Sequence, residues 1–290
     1  MREHIRALKA EFESLRIGKD DLLRLLDEAE IPEGVYNSNA IENSTLTLRE
    51  TERILLELEV SRDITAREVF EAKNLARVVE YIRDKPQTST LTKETILFLH
   101  KMLLTGINDD IAGRFRTTGE YVRVGTHVAP APEHVESMIE ALLAKYMSDH
   151  ETYDIDKIAK FHLAFEAIHP FLDGNGRIGR VLINWQLLRV GFPVIIIRDK
   201  EKAFYYQAFR DYNDKKALKG MEKILALALT ESLNKRLAYL KGEHIMTLAE
   251  YANKHKESLR ALLNKARRQT IPAFREKGVW KIGASFSTKS

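Results

Sequence analysis

A short loop between two amphipathic segments constrains the fold of this chain more than any other feature of its sequence. Apolar residues recur at helical spacing over 155–168 and again over 177–189, with Asp154 available to cap the first segment. The intervening residues 169–176 read His-Pro-Phe-Leu-Asp-Gly-Asn-Gly. The sequence therefore predicts a helix-loop-helix in which His169 lies at the end of the first helix.

The second half of this loop has the composition of an anion-binding turn. Gly174, Asn175 and Gly176 can direct successive backbone N–H groups into one concavity, because glycine tolerates left-handed conformations. The helix that follows adds the positive end of its dipole. Arg177 and Arg180 lie on one face of its first turn, where that dipole disfavours cations. We therefore expect an anionic ligand here.

Two further side chains of the loop suggest the chemistry. A carboxylate beside a phosphate site, such as Asp173, usually holds Mg²⁺, and a histidine with a pKa near ~6.5 can take a proton from an attacking hydroxyl. These groups indicate phosphoryl or nucleotidyl transfer. A zinc site is the alternative, because His162, Glu166 and His169 share one helical face. No H-E-x-x-H motif occurs, however, and zinc would leave the arginine pair unexplained.

The stretch 169–180, H-P-F-L-D-G-N-G-R-I-G-R, resembles the motif of the Fic (Fido) family, H-P-F-x-[DE]-G-N-G-R-x-x-R, at every specified position. The resemblance implies a protein adenylyltransferase. His169 would deprotonate a Ser, Thr or Tyr hydroxyl of a target protein, which attacks the α-phosphate of ATP and expels pyrophosphate. Asp173 would hold Mg²⁺. The ATP phosphates would be bound by Gly174, Asn175, Gly176, Arg177 and Arg180.

A second stretch, Ser38-Asn-Ala-Ile-Glu42-Asn43, resembles the inhibitory-helix pattern of the same family, [ST]-x-x-x-E-[GN]. The resemblance implies that Glu42 pairs with Arg180 where the γ-phosphate of ATP should lie, so that ATP binds unproductively. The same six residues are also compatible with an ordinary helix end, with Ser38 as the N-cap and Asn43 as the stop.

Residues 121–125 alternate in apolar character and precede two prolines, which predicts a strand. In the resembled family a β-hairpin flap occupies this place and aligns the target segment by strand addition. A plain surface hairpin fits the alternation equally well. The expected flap residues are Tyr121, Val122, Arg123 and Val124.

The adenine pocket of the resembled family matches Tyr206 and Asn213, next to Tyr205. Stacking and hydrogen bonding to the base are plausible there, although the tyrosines could equally belong to the core. In the phosphotransferase branch of the family a lysine replaces the second glycine of the turn. Gly176 therefore favours AMP transfer.

Helical periodicity dominates the rest of the chain. Capping-box patterns, which open helices, occur at Thr47/Glu50 and Thr65/Glu68. Further helices are expected at about 92–105, 132–148, 201–213 and 219–240, and the apolar run 194–197 is interpreted as a buried connector. The predicted class is mainly α: a Fic-type helical bundle with a β-hairpin flap and a small C-terminal winged-helix-like module. The predicted domains are 1–90 with the inhibitory motif at 38–43, 91–240 and 245–290.

The C-terminal segment is strongly basic. From Thr247 to Ser290 there are ten Lys and Arg against three Glu. A capping box at Thr247/Glu250, a helix over about 258–268 and a hairpin around a Glu-Lys-Gly turn predict a winged-helix-like layout. Its basic face would suit DNA phosphates, and a packing or dimer module is the alternative.

Composition bounds the setting. The chain has 290 residues, 44% hydrophobic and 30% charged, and no cysteine, which excludes disulfides and thiolate chemistry. Its first residues are charged and no stretch approaches ~20 apolar residues, so we expect a cytoplasmic protein without a membrane span. A homodimer is left open.

Two classes of function remain. The first is an enzyme that transfers AMP to a protein, and the second is a nucleotide-sensing DNA-binding regulator. His169 and Asp173 favour the enzyme. Within the enzyme class, phosphate transfer and removal of AMP remain alternatives, since Glu42 could position a water for the reverse reaction.

Overall fold

The computed structural model describes residues 1–60, 62–85 and 90–287. The helices in these residues are α1 (Arg2–Leu15), α2 (Asp20–Ile41), α3 (Leu48–Leu55), α4 (Ala66–Asp84), α5 (Lys93–Leu104), α6 (Val135–Ser148), α7 (Asp154–Ile168), α8 (Asn175–Arg189), α9 (Lys202–Lys215), α10 (Lys219–Leu240), α11 (Leu248–His255) and α12 (Leu259–Arg267). The strands are β1 (Arg123–Val124), β2 (His127–Val128), β3 (Ile245–Thr247), β4 (Phe274–Glu276) and β5 (Val279–Gly283). The mainly helical class is confirmed.

The chain divides into two compact units, and the division falls inside α2 and α10. One unit comprises Pro32–Gly191 and Ile196–Leu225, and the other comprises Met1–Ile31, Phe192–Ile195 and Ala226–Ser290. The domain boundaries expected from the sequence follow the chain order and remain a prediction. Among the described residues, no helix combines the length and apolar character needed to span a bilayer.

The larger unit is built around α7 and α8, which pack against each other and are surrounded by α4, α5, α6 and α9. The inner faces of the central pair bury apolar side chains almost completely, as at Leu163, Phe165 and Ile178. Burial of this kind stabilises by roughly 1.5–3 kcal/mol per large apolar side chain. The central pair therefore forms a rigid support for the loop that joins it.

The helix starts show which local signals decided the fold. The capping boxes at Thr47/Glu50 and Thr65/Glu68 are both formed, with reciprocal side-chain and backbone hydrogen bonds. The predicted cap at Asp154 is wrong, because Asp154 is the first residue of α7 and the N-cap is Tyr153, which makes no side-chain capping hydrogen bond. An acidic residue in the first turn is favourable there through the helix dipole instead.

The smaller unit contains the C-terminal module. The order β3-α11-α12-β4-β5 forms a three-stranded antiparallel sheet with strand order β3-β5-β4. Both predicted helices and the predicted hairpin are present, whereas β3 was not expected from the sequence. Tyr251, Leu262 and Ile282 belong to its buried apolar cluster. Residues 288–290 of the predicted 245–290 module lie outside the described residues.

Ion pairs connect the remaining elements of the smaller unit. The guanidinium of Arg236, 1% exposed, contacts Asp27 and Glu30 of α2. Arg275 of β4 contacts Glu231 of α10 at 2.6 Å. Two acids around a buried arginine compensate the cost of removing its charge from water. Part of the positive charge of the C-terminal module is thus neutralised by an acidic residue of the same unit.

Candidate functional site

The loop between α7 and α8 is held in one conformation by its own residues. His169 caps α7 in the left-handed region with φ 51°, and Gly174 precedes α8 with φ 83°. The side-chain amide of Asn175 donates to the Phe171 carbonyl at 2.8 Å and accepts from the Phe171 N–H at 2.9 Å. Because Gly174 permits this turn, α8 begins at Asn175, two residues before the predicted start.

These contacts define what the turn can offer an anion. The side chain of Asn175 is 3% exposed and its oxygen and nitrogen are both engaged with Phe171. Contacts from this turn to an anion would therefore come from backbone N–H groups. The first N–H groups of any helix lack intrahelical partners, so the first turn of α8, which includes Gly176, has the backbone donors that an anion would need.

A carboxylate of the protein itself lies at this position. A Cβ built on Gly176 would lie 2.2 Å from Oε1 of Glu42, so the carboxylate is directly beside the first turn of α8. The same Oε1 accepts a hydrogen bond from Nη2 of Arg180 at 2.8 Å. The contact expected between Glu42 and Arg180 is present, and it brings a negative charge to the first turn of α8.

The end of α2 is fixed around this pair. Arg180 also donates from Nε to the hydroxyl of Ser38 at 2.9 Å and from Nη2 to the Ser38 carbonyl at 2.8 Å. Ser38 lies in the last turn of α2, and Asn43 adopts φ 67° just after it. The hydroxyl of Tyr206 donates to the carbonyl of Ile41 at 2.9 Å. Arg180 therefore holds both the backbone and the side chains of the helix end.

The electrostatics of Arg180 favour a persistent positive charge. Only 7% of its side chain is exposed. Burial opposes the charge, but the adjacent Glu42 carboxylate outweighs it and raises the pKa of Arg180 above its usual value. The guanidinium carbon lies 5.9 Å from the centre of the Tyr205 ring. A buried guanidinium of this kind requires an anionic partner, which is either Glu42 or a ligand.

His169 is partly buried at the end of α7. Burial is the main reason that its pKa falls to about 4, and a hydrogen bond to the backbone of Glu166 opposes this fall in part. The imidazole is therefore neutral at pH 7 and can accept a proton. A neutral imidazole is the protonation state that a general base requires.

Arg116 was missed by sequence analysis, yet it organises the region around His169. Its side chain, in a residue that is 3% exposed, donates to four carbonyls: His169 at 2.8 Å, Ile168 at 3.3 Å, Glu120 at 2.9 Å and Pro130 at 3.0 Å. The predicted strand at 121–125 does not include this residue. The structure makes it the connection between the loop and the segment that carries the flap.

The expected flap is a short hairpin. Arg123 pairs with Val128 and Val124 with His127, so the strands are shorter than the predicted 121–125 segment. Val122 still accepts a backbone hydrogen bond from Ala129 at 3.1 Å. Three side chains of the hairpin segment are exposed: Tyr121 by 64%, Val124 by 47% and Val128 by 67%. The hairpin thus presents an apolar, solvent-facing edge.

Asp173 is surrounded by cations. Its Oδ1 accepts from Arg177 at 2.9 Å and its Oδ2 accepts from Arg67 at 2.7 Å. Burial works in the opposite direction, but Arg177 and Arg67 together lower the pKa of Asp173. The carboxylate is therefore ionised at neutral pH, as a metal ligand or counterion must be.

His100, a second residue missed by sequence analysis, positions the backbone of Asp173. Its Nδ1 accepts from the Gly113 N–H at 3.0 Å, so the proton of the neutral ring lies on Nε2, 3.0 Å from the Asp173 carbonyl. Its ring stacks on Phe171. Burial lowers the pKa of His100 to about 4, which keeps this tautomer neutral.

The arrangement of His162 and Glu166 does not support the zinc alternative. Among the described residues, no group of three or more His, Cys, Asp or Glu is placed to hold a metal ion. His162 Nε2 instead lies 2.7 Å from the hydroxyl of Tyr205, and burial lowers its pKa to about 3. Burial, followed by the charge of Glu42, raises the pKa of Glu166 to about 8. Glu166 is therefore neutral at pH 7, and both side chains pack directly against Gly179 of α8.

The residues expected around adenine lie on α9. Tyr205 is 1% exposed and belongs to the core through His162, whereas Tyr206 is half-buried and bound to the end of α2. Asn213 is partly exposed, two turns further along the same helix. The structure thus separates a core tyrosine, Tyr205, from two more accessible side chains.

Fold and site together define a helical protein with a glutamate–arginine pair at a helix start and a neutral histidine at the end of the preceding helix. The Fic/DOC family model matches residues 90–187. A curated relative from Nematostella vectensis, named Protein adenylyltransferase Fic, is 33% identical over 210 residues, which cover 69% of this chain and 47% of the relative. The chain spans less than half the length of the curated relatives it matches.

Solved structures of Fic-domain proteins have the same fold as this chain. A Fic-domain-containing signaling protein from Bacteroides thetaiotaomicron is similar with a TM-score of 0.75 and 26% identity, over 83% of this chain and 97% of that one. A Fic family protein from Desulfovibrio desulfuricans shares the fold over 98% of this chain and 97% of its own, with a TM-score of 0.66 and 21% identity. The chain belongs to the Fic family.

Proposed function

We propose that this chain transfers AMP from ATP to a hydroxyl side chain of a target protein. The observation that carries the proposal is the carboxylate of Glu42, which lies beside Gly176 and accepts from Arg180 and so supports an anion-binding site at the start of α8. His169 lies at the adjacent helix end as a neutral base. The relatives named Protein adenylyltransferase Fic support the same reaction.

The reaction requires one proton acceptor and one phosphate cradle. His169 takes the proton of a Ser, Thr or Tyr hydroxyl, whose oxygen forms a bond to the α-phosphorus of ATP. The bond between the α-phosphorus and the bridging oxygen of the β-phosphate breaks, and pyrophosphate leaves. Backbone N–H groups at Gly174, Asn175 and Gly176 would bind phosphate oxygens, since negative charge is favoured at a helix start.

The arginines and the acid of the loop complete the phosphate site. Arg177 and Arg180 would hold the terminal phosphates, because guanidinium groups match phosphate geometry. Asp173 fits a role as a Mg²⁺ ligand, since Mg²⁺ in nucleotide sites is bound by one or two carboxylates plus substrate phosphates. When bound, Mg²⁺ would neutralise part of the phosphate charge. Tyr206 and Asn213 are proposed to contact the nucleoside.

Glu42 is proposed to restrain this activity. Its carboxylate and a terminal phosphate cannot both use Arg180, so ATP would bind in an unproductive pose while the pair persists. Ser38 and Asn43 support the inhibitory conformation by holding and ending α2. The flap residues Tyr121–Val124 are proposed to receive the target segment through main-chain pairing at an exposed edge.

Incubation with labelled ATP tests the proposal. The chain, in the Glu42→Gly background, is mixed with a cell lysate and with ATP labelled at either the α- or the γ-phosphate. The proposal predicts protein-bound label from the α position alone. Label from γ alone would establish phosphate transfer, and release of AMP from modified proteins without any uptake would establish the reverse reaction.

The matched variant for this assay is His169→Asn rather than His169→Ala. His169 has a positive φ, and asparagine tolerates that conformation better than alanine does. We expect His169→Asn to lose transfer while ATP binding, measured by calorimetry, is retained. Full labelling by this variant would exclude His169 as the base.

A second candidate function is supported by the basic C-terminal module. Arg260 and Arg267 are exposed on α12, Arg268 is exposed directly after it, and Lys277 is exposed at the β4–β5 turn. Such a face could bind DNA phosphates and make the chain a nucleotide-sensing regulator. Fluorescence anisotropy with duplex DNA across a salt series tests this. Binding that Arg260/Arg267/Arg268→Gln does not weaken would refute it.

Cytoplasmic location and a homodimer stay predictions from the sequence.

A further inference from the structure

Four charged side chains form a closed ring beside the loop, which we call the charge ring: Arg67 and Glu71 of α4, Asp173 of the loop and Arg177 of α8. Asp173 contacts Arg67 at 2.7 Å and Arg177 at 2.9 Å. Glu71 contacts Arg67 and Arg177 at 3.1 Å each, through the same oxygen. Each acid thus bridges both arginines, the charges cancel, and both oxygens of Asp173 are occupied.

The two arginines of the charge ring differ in how firmly they are held. The side chain of Arg177 is 4% exposed, whereas that of Arg67 is 59% exposed. Arg67 also lies in the first turn of α4, where the helix dipole disfavours a cation. If Arg67 left Asp173, it would still have Glu71 as a partner. The charge ring therefore opens most easily at the contact between Arg67 and Asp173.

We propose that Arg67 is an internal counterion that occupies the divalent-cation position of Asp173, so that metal loading requires Arg67 to leave. The inference rests on the proposed function for the identity of the cation. While Asp173 Oδ2 accepts from Arg67 at 2.7 Å, the positive charge of the guanidinium repels a divalent cation that approaches the same carboxylate.

This restraint is separate from the one proposed for Glu42. Glu42 is an anion that occupies a phosphate position on Arg180, whereas Arg67 is a cation that occupies a metal position on Asp173. The two contacts share no residue. Glu42 would thus exclude the nucleotide phosphates and Arg67 would exclude the metal ion. Each side chain has the same sign of charge as the group whose position it occupies.

The test measures Mn²⁺ binding to the full nucleotide-free chain by electron paramagnetic resonance, in which bound Mn²⁺ loses the signal of the free ion. We expect Arg67→Met to bind Mn²⁺ about fivefold more tightly than the wild type, or more, which is the lower end of usual coupling between sites. Arg67→Lys should stay near the wild type, because an ammonium can still neutralise Asp173. Arg67→Gln provides a second truncation if Arg67→Met does not fold.

Two controls make the result specific. Arg62→Met removes another partly exposed arginine, which pairs with Glu50 at 2.6 Å, and should leave Mn²⁺ affinity unchanged. Arg67→Met combined with Asp173→Asn should lose the gain. Equal or weaker Mn²⁺ binding in Arg67→Met would overturn the proposal, as would a gain that persists without Asp173. No ATP is present, so failure of AMP transfer in the labelling assay would leave this result unaffected.

Discussion

Glu42 and Arg180, 138 positions apart in the sequence, form a hydrogen-bonded ion pair of 2.8 Å at the start of α8. The pair neutralises a guanidinium that is almost fully buried, in a place where a helix start already attracts negative charge. A phosphate that reaches this position must displace the carboxylate. The equilibrium between the two anions is therefore the physical basis of the proposed restraint.

The close approach of Glu42 to Gly176 gives a prediction about stability. A methyl group on Gly176 would lie 2.2 Å from Oε1 of Glu42, although alanine is otherwise better than glycine inside a helix by about 1 kcal/mol. We expect Gly176→Ala to lower the free energy of unfolding by about 1–3 kcal/mol in the wild type. In the Glu42→Gly background it should be neutral or stabilising. Urea unfolding of the four chains measures this, and an equal cost in both backgrounds would refute the placement of Glu42.

Arg116 is expected to support both the loop and the flap. Arg116→Met leaves four backbone carbonyls without their donor, which we expect to cost about 2–4 kcal/mol of unfolding free energy. Arg116→Lys should recover part of this, since an ammonium lacks the planar fork. The matched control is Arg123→Met, an exposed flap arginine with one local backbone contact. A cost no greater than that of the control would contradict this role.

Glu166 gives a pH-dependent prediction. Its folded pKa, raised from 4.5 to about 8, means that the folded chain holds a proton that the unfolded chain has released. The stabilising contribution of this proton is complete below pH 4.5 and is lost as the pH rises to 8. Glu166→Gln should therefore gain stability relative to the wild type at pH 8.5 but not at pH 4.5. Urea midpoints at both pH values test this, with the exposed Glu13→Gln as control; an identical difference at both would contradict it.

The sequence predicted the short motifs of the site, but not the distant side chains that hold these motifs in place. The loop, the capping boxes and the pair of Glu42 with Arg180 depend on short patterns, and the structure contains them. Arg116 and His100 act on backbone atoms more than 50 residues away, and no pattern in their own segments marks such contacts. No sequence pattern indicated the contact of Arg67 with Asp173 either.

Boundaries were the other weakness of the sequence analysis. The residue type of Asp154 predicts a helix cap, but α7 begins at Asp154 itself and its N-cap is Tyr153. The flap strands are shorter than the alternation predicts, because the strand ladder comprises only the pairs of Arg123 with Val128 and of Val124 with His127. Periodicity indicates which face is buried, whereas the ends of an element depend on tertiary contacts.

The most direct test of the account compares AMP incorporation by the wild type and Glu42→Gly. With α-labelled ATP and no added target, we expect Glu42→Gly to modify itself about tenfold faster or more, since a charge-assisted pair of about 1.5 kcal/mol would no longer oppose productive binding. His169→Asn in the same background should abolish the label. An unchanged rate in Glu42→Gly would contradict the account.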